Sequence, residues 1–69
     1  MTTVTITTEY IKLDSFLKLA NAVSSGGEAK ILIAQGDVSV DDQPCFQRGR
    51  KIRLDMTVTL HGETFLCRA

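Results

Sequence analysis

The chain has 69 residues, which predicts one small domain, and its 43% apolar content is typical of a globular fold rather than a disordered tail. No apolar run approaches the roughly 20 residues of a membrane span, and the first ten residues lack a basic start and an apolar stretch, so we expect a cytosolic protein without a secretory signal. Eight basic and eight acidic residues give a formal net charge of zero, and this total by itself argues against a nucleic-acid partner.

The first two elements predicted along the chain are a strand and a helix. Val4 and Ile6 alternate with threonines, which indicates a short, half-buried strand. Apolar residues then recur at spacings of three and four, as on one face of a helix; they are Leu13, Phe16, Leu17, Ala20 and Val23. Asp14 suits the cap or the first turn of this helix, where the helix dipole favours an acid. We expect the helix to end at about residues 22–24.

A second helix is predicted after a very short turn, and its first turn contains two glycines. Ser25 and Glu28 have the spacing of a capping box, in which each side chain accepts a hydrogen bond from the other residue's backbone amide. Gly36 suits the left-handed position that ends the helix. Gly26 and Gly27 weaken a helix, and two explanations stay open: a tight turn between packed helices, or close approach of a phosphate to unpaired backbone amides.

The second half of the chain returns to the alternation of strands. Val38 and Val40 predict one strand, and residues 41–42 form a turn without the glycine that best suits a two-residue hairpin. Pro44 restricts the following segment to an edge strand or a loop. Two more strands flank a turn at Gly62, and they contain Val58 and Leu60, then Phe65 and Cys67. Together the elements predict an α+β fold, a helix-turn-helix pair packed on a small, mostly antiparallel, bent sheet.

Half of the chain's lysines and arginines lie within six residues, and no acid interrupts them. They are Arg48, Arg50, Lys51 and Arg53. Most charge runs are only solvated loops, but this one is dense, and Ile52 and Leu54 are expected to anchor it in the core. Three arginines offer forked donors for phosphate oxygens, so the segment favours phosphate binding, and Gly49 allows a bend in its middle. Phe46 is the only nearby ring, which favours recognition of backbone or shape over base stacking.

The other reactive side chains form no catalytic or metal-binding motif. Cys45 and Cys67 are not in a CxxC pair, and with a single histidine in the chain we expect two free, partly buried thiols. His61 is expected in a surface turn, and Tyr10 in packing at the start of the first helix. Paired carboxylates, a Walker sequence and a dinucleotide fingerprint are missing, so the sequence predicts no enzyme, cofactor, metal or small-molecule substrate.

Three motifs in combination match a known family. They are KLDSFLKL in the first helix, SSGGEAKILIAQGDVSVDD across the second helix and the next strand, and RGRKIRLDMTV after it. Over residues 9–60 the chain resembles the S-four RNA-binding domain, also called the alpha-L motif. SGGEAK together with RGRK looks like its short stand-alone bacterial subgroup, the ribosome-associated YaaA/YbcJ-like proteins. The resemblance implies the alpha-L fold and binding of structured RNA, mainly ribosomal or transfer RNA, without catalysis.

The family's RNA face comprises the first helix, the start of the second helix and the loops of the following hairpin. Carried over to this chain and joined to the basic segment, it predicts RNA contacts from Lys12, Lys18, Ser25, Gly26, Gly27, Lys30, Arg48, Gly49, Arg50, Lys51 and Arg53. Many members have an arginine where this chain has Gly26, so that backbone contacts must substitute here. The usual Asn-Gly turn is Asp41-Asp42, and the usual Pro-Gly-Asp turn is residues 54–56.

Two hypotheses of function follow. In the first, the whole chain, residues 1–69, is one non-catalytic, ribosome-associated domain that docks on structured RNA. In the alternative, the chain is a protein-interaction module whose basic segment meets an acidic surface of a partner. Treatment with nuclease distinguishes the two, because only an association carried by RNA dissolves.

Overall fold

The computed structural model describes residues 1–69 as seven strands and two helices. In chain order these are β1 (Thr2–Thr5), β2 (Tyr10–Lys12), α1 (Leu13–Leu19), α2 (Gly26–Ala34), β3 (Val38–Val40), β4 (Gln43–Pro44), β5 (Lys51–Arg53), β6 (Thr57–Leu60) and β7 (Glu63–Arg68). A five-stranded sheet has the order β1-β7-β6-β3-β4, and only its β1–β7 pair is parallel. The strands β2 and β5 form a separate antiparallel pair. The predicted α+β class and mostly antiparallel sheet are confirmed.

The core is built entirely from apolar residues and the two cysteines, and it joins both helices to both sheets. At its centre the ring of Phe16 on α1 meets the ring of Phe65 on β7 edge to face, with centroids 6.5 Å apart. Cys45 and Cys67 are free, as predicted, and both are buried rather than partly buried. Burial raises the pKa of the Cys67 thiol, and the neighbouring Asp55 carboxylate adds to this effect. Neither helix is long and apolar enough to cross a membrane.

Helix α1 is shorter than its apolar spacing predicts, because it ends at Leu19 rather than at residues 22–24. Asn21 has a left-handed backbone, with φ of 57°, and this conformation terminates the helix. Val23 lies in the loop that follows the helix, and its side chain is buried there. Its spacing in the sequence therefore resembles that of one more helical turn. The connection to α2 is therefore longer than the very short turn that the sequence predicts. Asp14 lies in the first turn, but Lys12 is the N-cap residue.

Helix α2 begins and ends where its sequence signals predict. Ser25 is the N-cap, and its Oγ accepts a hydrogen bond of 3.2 Å from the amide of Glu28. The reciprocal bond differs from a standard capping box, because Glu28 Oε1 accepts from the amide of Ser24, at 2.7 Å, and not from Ser25. After the helix, Gly36 adopts the predicted left-handed backbone, with φ of 82°.

The turn at Asp41-Asp42 keeps a two-residue hairpin geometry without glycine. Both residues have positive φ, 49° and 68°, as a type I′ turn requires, and they join β3 to β4. Positive φ is unfavourable for a residue other than glycine, and here a hydrogen bond supports the turn. The Asp41 carboxylate accepts it from the amide of Thr57, at 2.9 Å. Pro44 lies on β4, an edge strand, as predicted. His61 and Gly62 form the corresponding turn between β6 and β7, so the predicted surface position of His61 is confirmed.

Candidate nucleic-acid interface

The short pair β2–β5 sets the geometry of the basic segment. Its register places Ile11 opposite Ile52, and Ile52 is fully buried while Ile11 is partly buried. Side chains of a strand alternate between its two faces, so the residues on either side of these isoleucines share the outer face. These four are Tyr10 opposite Arg53 and Lys12 opposite Lys51, and all of them are exposed. We call them the outer cluster.

Tyr10 lies among the cations of the outer cluster. Its ring centroid is 4.8 Å from Lys51 Nζ and 5.5 Å from Arg53 Cζ, within the range of cation–π attraction. The ring therefore restrains two flexible side chains on a rigid strand pair. The expectation that Tyr10 serves in packing is therefore wrong, and so is the expectation that Phe46 is the only ring near the cations. The available signal was the alternation in Tyr10-Ile11-Lys12, which matches that of residues 51–53.

The outer cluster also holds an unfavourable charge pair. Lys12 and Lys51 are directly opposite each other, and like charges in that position destabilise a sheet. No acid compensates them, because the one ion pair that a lysine or arginine forms in the structure joins Arg68 to Asp55 at 3.3 Å. Seven of the eight lysines and arginines thus have no carboxylate partner. Such an arrangement is suited to binding an external anion.

The loop before β5 is fastened to the beginning of α1. The carbonyls of Arg48 and Arg50 accept hydrogen bonds from the amides of Asp14, at 3.2 Å, and Leu13, at 2.9 Å. These bonds satisfy two of the amides that a helix leaves unpaired at its N-terminus. The predicted bend is confirmed by a turn at residues 48–49, where Gly49 lies in open space. The side chains of Arg48 and Arg50 are exposed, and both residues lie just before Lys51 of the outer cluster in the chain.

Only one of the two predicted apolar anchors of the basic segment reaches the core. Ile52 is buried, but Leu54 is 42% exposed, so the expectation for Leu54 is wrong. The chain turns immediately after β5, since the amide of Met56 donates to the carbonyl of Arg53 at 3.2 Å and Asp55 has a φ of 70°. Met56 packs against the core in place of Leu54.

The remaining predicted contact residues lie on the two helices. Lys18 is exposed in the last turn of α1 and lines a shallow depression of about 340 Å³ with Ile11, Ser15 and Leu19. Ser25, Gly26, Gly27 and Lys30 are exposed at the start of α2. No hydrogen bond or ion pair links these helix residues to the segment 48–53.

The two glycines of α2 are not explained by tight packing. A Cβ at Gly26 would meet no atom within 4 Å, and one at Gly27 would meet only Ser25 Oγ, at 3.8 Å. The surroundings therefore do not require glycine at either position, and the helix start is open to an approaching group. Glu28 would repel an anion there, but its carboxylate is engaged by the amide of Ser24. No group of three or more histidine, cysteine, aspartate or glutamate side chains is placed to hold a metal ion.

Comparison with known families tests the interpretation of these surfaces. A family model described as S4 domain matches residues 4–67. The chain belongs to the S4 domain family. The S4 domain is the S-four domain of the sequence analysis, so the predicted family is confirmed.

Two relatives cover most of this S4 domain protein. Over 59 residues it is 42% identical to the probable ribosome maturation protein RlbA of Bacillus subtilis strain 168, with 86% of this chain and 83% of the relative covered. It is also similar to the solution structure of YbcJ from E. coli, described as an alpha-L motif involved in RNA-binding. The TM-score is 0.77 at 33% identity, and 100% of this chain and 89% of YbcJ are covered.

A third similarity concerns the fold alone. The 30S ribosomal protein S4e of Thermoplasma acidophilum matches 84% of this S4 domain protein with a TM-score of 0.63, at 19% identity and over 31% of its own length. The fold of this chain thus resembles nearly all of YbcJ and about a third of a longer ribosomal protein.

Proposed function

We propose that this S4 domain protein is a non-catalytic, ribosome-associated RNA-binding protein that docks on structured ribosomal or transfer RNA in the cytoplasm. The observation that carries the proposal is the outer cluster, in which three exposed cations share one face of a strand pair without a carboxylate partner. A facing pair of lysines lowers stability, and a phosphate between them removes that penalty. A surface of this kind gains most from a polyanion.

The names of the relatives support RNA as the polyanion. YbcJ is described as carrying an RNA-binding motif, and RlbA as a probable ribosome maturation protein. Both are of similar length to this chain, so the likeness extends over nearly all of each protein. The proposal treats residues 1–69 as one RNA-binding domain.

The proposed contacts are divided between side chains and backbone. The four cations of the basic segment, with Lys12, engage phosphates at the outer cluster and the adjoining loop, and Lys18 and Lys30 extend the positive surface over the helices. Gly26 and Gly27 leave the first amides of α2 accessible to a phosphate oxygen, which is favoured at a helix N-terminus. Ser25 fixes that helix start through its bond to Glu28.

A salt series with three RNAs tests the proposal. We expect binding to ribosomal RNA and transfer RNA to be tighter than to an unstructured RNA, and to weaken as salt rises. The variant Arg48→Gln/Arg50→Gln/Lys51→Gln eliminates three cations that are proposed to bind phosphates. The salt dependence should become weaker, with the magnitude of the slope of log K against log salt reduced by about 0.7–0.9 for each of these cations.

The matched control is Arg68→Gln, which removes an arginine that is already paired with Asp55. Unchanged affinity and slope in the triple variant would show that the site assignment is wrong. Association with ribosomes that survives nuclease treatment would instead favour a protein-interaction module.

A further inference from the structure

Phe46 is an aromatic side chain held in an exposed position beside the basic segment. It is 64% exposed, whereas the other two phenylalanines, Phe16 and Phe65, are in the core. Single exposed apolar residues are common on protein surfaces, so exposure alone indicates no function. The surroundings of this ring are more informative.

One side of the Phe46 ring rests on the end of α2. A Cβ placed on Gly36 would lie 3.0 Å from Cε2 and 3.2 Å from Cζ of the ring, so the ring occupies the space that a side chain would need. Gly36 thereby has two roles, since its φ of 82° also ends the helix. The ring is seated on backbone, and its remaining surface faces solvent.

The backbone on both sides of Phe46 is restrained. Cys45 is buried, and its amide donates to the carbonyl of Val38 at 2.9 Å. On the other side, the carbonyl of Gln47 accepts from the amide of Arg50 at 3.1 Å. A ring held in this way loses little conformational freedom when it binds a partner.

Phe46 is close in the chain to Arg48, one of the residues proposed to bind phosphate. Arg48 is two residues away, so the two Cα atoms are within about 7 Å. The ring of Tyr10 is already in contact with Lys51 and Arg53, whereas no cation or second aromatic ring contacts Phe46. Its chain neighbour Gln47 and Arg48 are exposed and polar, which suits a nucleotide better than an apolar protein surface.

We propose that Phe46 stacks on one unpaired nucleobase of the bound RNA while Arg48 contacts the backbone of that nucleotide. The inference rests on the proposed function and refines it, because the favoured RNA is then structured RNA interrupted by an unpaired nucleotide rather than a continuous duplex. Stacking on an aromatic side chain changes affinity by about 5- to 140-fold, equivalent to ~1–3 kcal/mol.

Three RNAs separate stacking from general attraction: a blunt duplex, the same duplex with one extra unpaired nucleotide, and that duplex with an abasic residue at the extra position. Phe46→Leu should weaken binding to the second RNA by at least 5-fold, at the lower end of the range, and leave the other two unchanged. Phe46→Trp should retain the preference. The chain has no other tryptophan, so its fluorescence should change only with the second RNA. Ile31→Ala, at another exposed apolar residue, is the control.

Several outcomes would overturn the inference. One is an equal loss of affinity for all three RNAs in Phe46→Leu. Another is equal affinity of the wild-type protein for the unpaired and abasic RNAs. A third is a Phe46→Leu variant that keeps its RNA affinity but binds ribosomes less. The last result would mean that the ring contacts protein. The proposed function fails in a different way, because then the triple charge variant would bind all RNAs as the wild-type protein does.

Discussion

Lys12→Gln should make the protein more stable and a weaker RNA binder. Lys12 faces Lys51 across the β2–β5 pair, and removing one of two facing like charges stabilises a sheet by about 0.2–1 kcal/mol. Lys12 is also the N-cap of α1, where a positive charge opposes the helix dipole by about 0.3–1 kcal/mol. The two effects add to about 0.5–2 kcal/mol, and for a domain of this size 1 kcal/mol raises Tm by about 4–8 °C.

RNA binding should respond in the opposite direction. If Lys12 contacts a phosphate as proposed, neutralising it reduces the magnitude of the slope of log K against log salt by about 0.7–0.9. Thermal unfolding and RNA titration at several salt concentrations measure the two effects separately. Because Lys12 donates no side-chain hydrogen bond at the cap, neutralising it removes no bond from the fold.

Lys18→Gln is the matched control on the same helix. Lys18 lies in the last turn of α1, where a cation is favourable, so its replacement should lower stability by about 0.3–1 kcal/mol while the salt slope also falls. A lower Tm for Lys12→Gln, or a salt slope equal to that of the wild-type protein, would refute the reasoning from the facing lysines.

Three further changes test the fold. Gly36→Ala should lower the unfolding free energy in urea by about 1–2 kcal/mol, because φ is 82° and the new Cβ meets the ring of Phe46; an unchanged midpoint would contradict this. Ser25→Ala should cost about 0.5–2 kcal/mol through loss of the α2 cap, and Ser25→Asp should restore stability. Burial raises the pKa of Cys67 above 9.0, so the folded chain keeps a proton that the unfolded chain loses, and stability should fall as pH rises above 9; Cys67→Ala should flatten that decline.

Local signals predicted the elements that are set locally. The capping residues Ser25 and Glu28 mark the start of helix α2 and Gly36 marks its end, as predicted, because capping and a left-handed backbone depend on residues close in sequence. The alternation in Val38 and Val40 likewise located β3. The end of α1 was missed because Val23 continues the helical spacing from a loop, and periodicity does not distinguish the two.

The pairing of β2 with β5 was the main feature that the sequence did not reveal. Each strand has only three residues, so its alternation is brief, and nothing in that alternation identifies a partner about forty residues away in the chain. The cations at residues 48–53 were predicted as a cluster from their density alone. Their shared outer face with Lys12, and the ring of Tyr10 among them, depend on that non-local register and became visible only in three dimensions.

The bonds between the basic loop and α1 make two amide protons informative. The amides of Leu13 and Asp14 are bonded to the carbonyls of Arg50 and Arg48, so they exchange with solvent deuterium when the loop separates from the helix. Their exchange rates therefore measure local opening of the loop in the unmodified protein. A partner that restrains the loop slows exchange at these two positions, even if it never touches them.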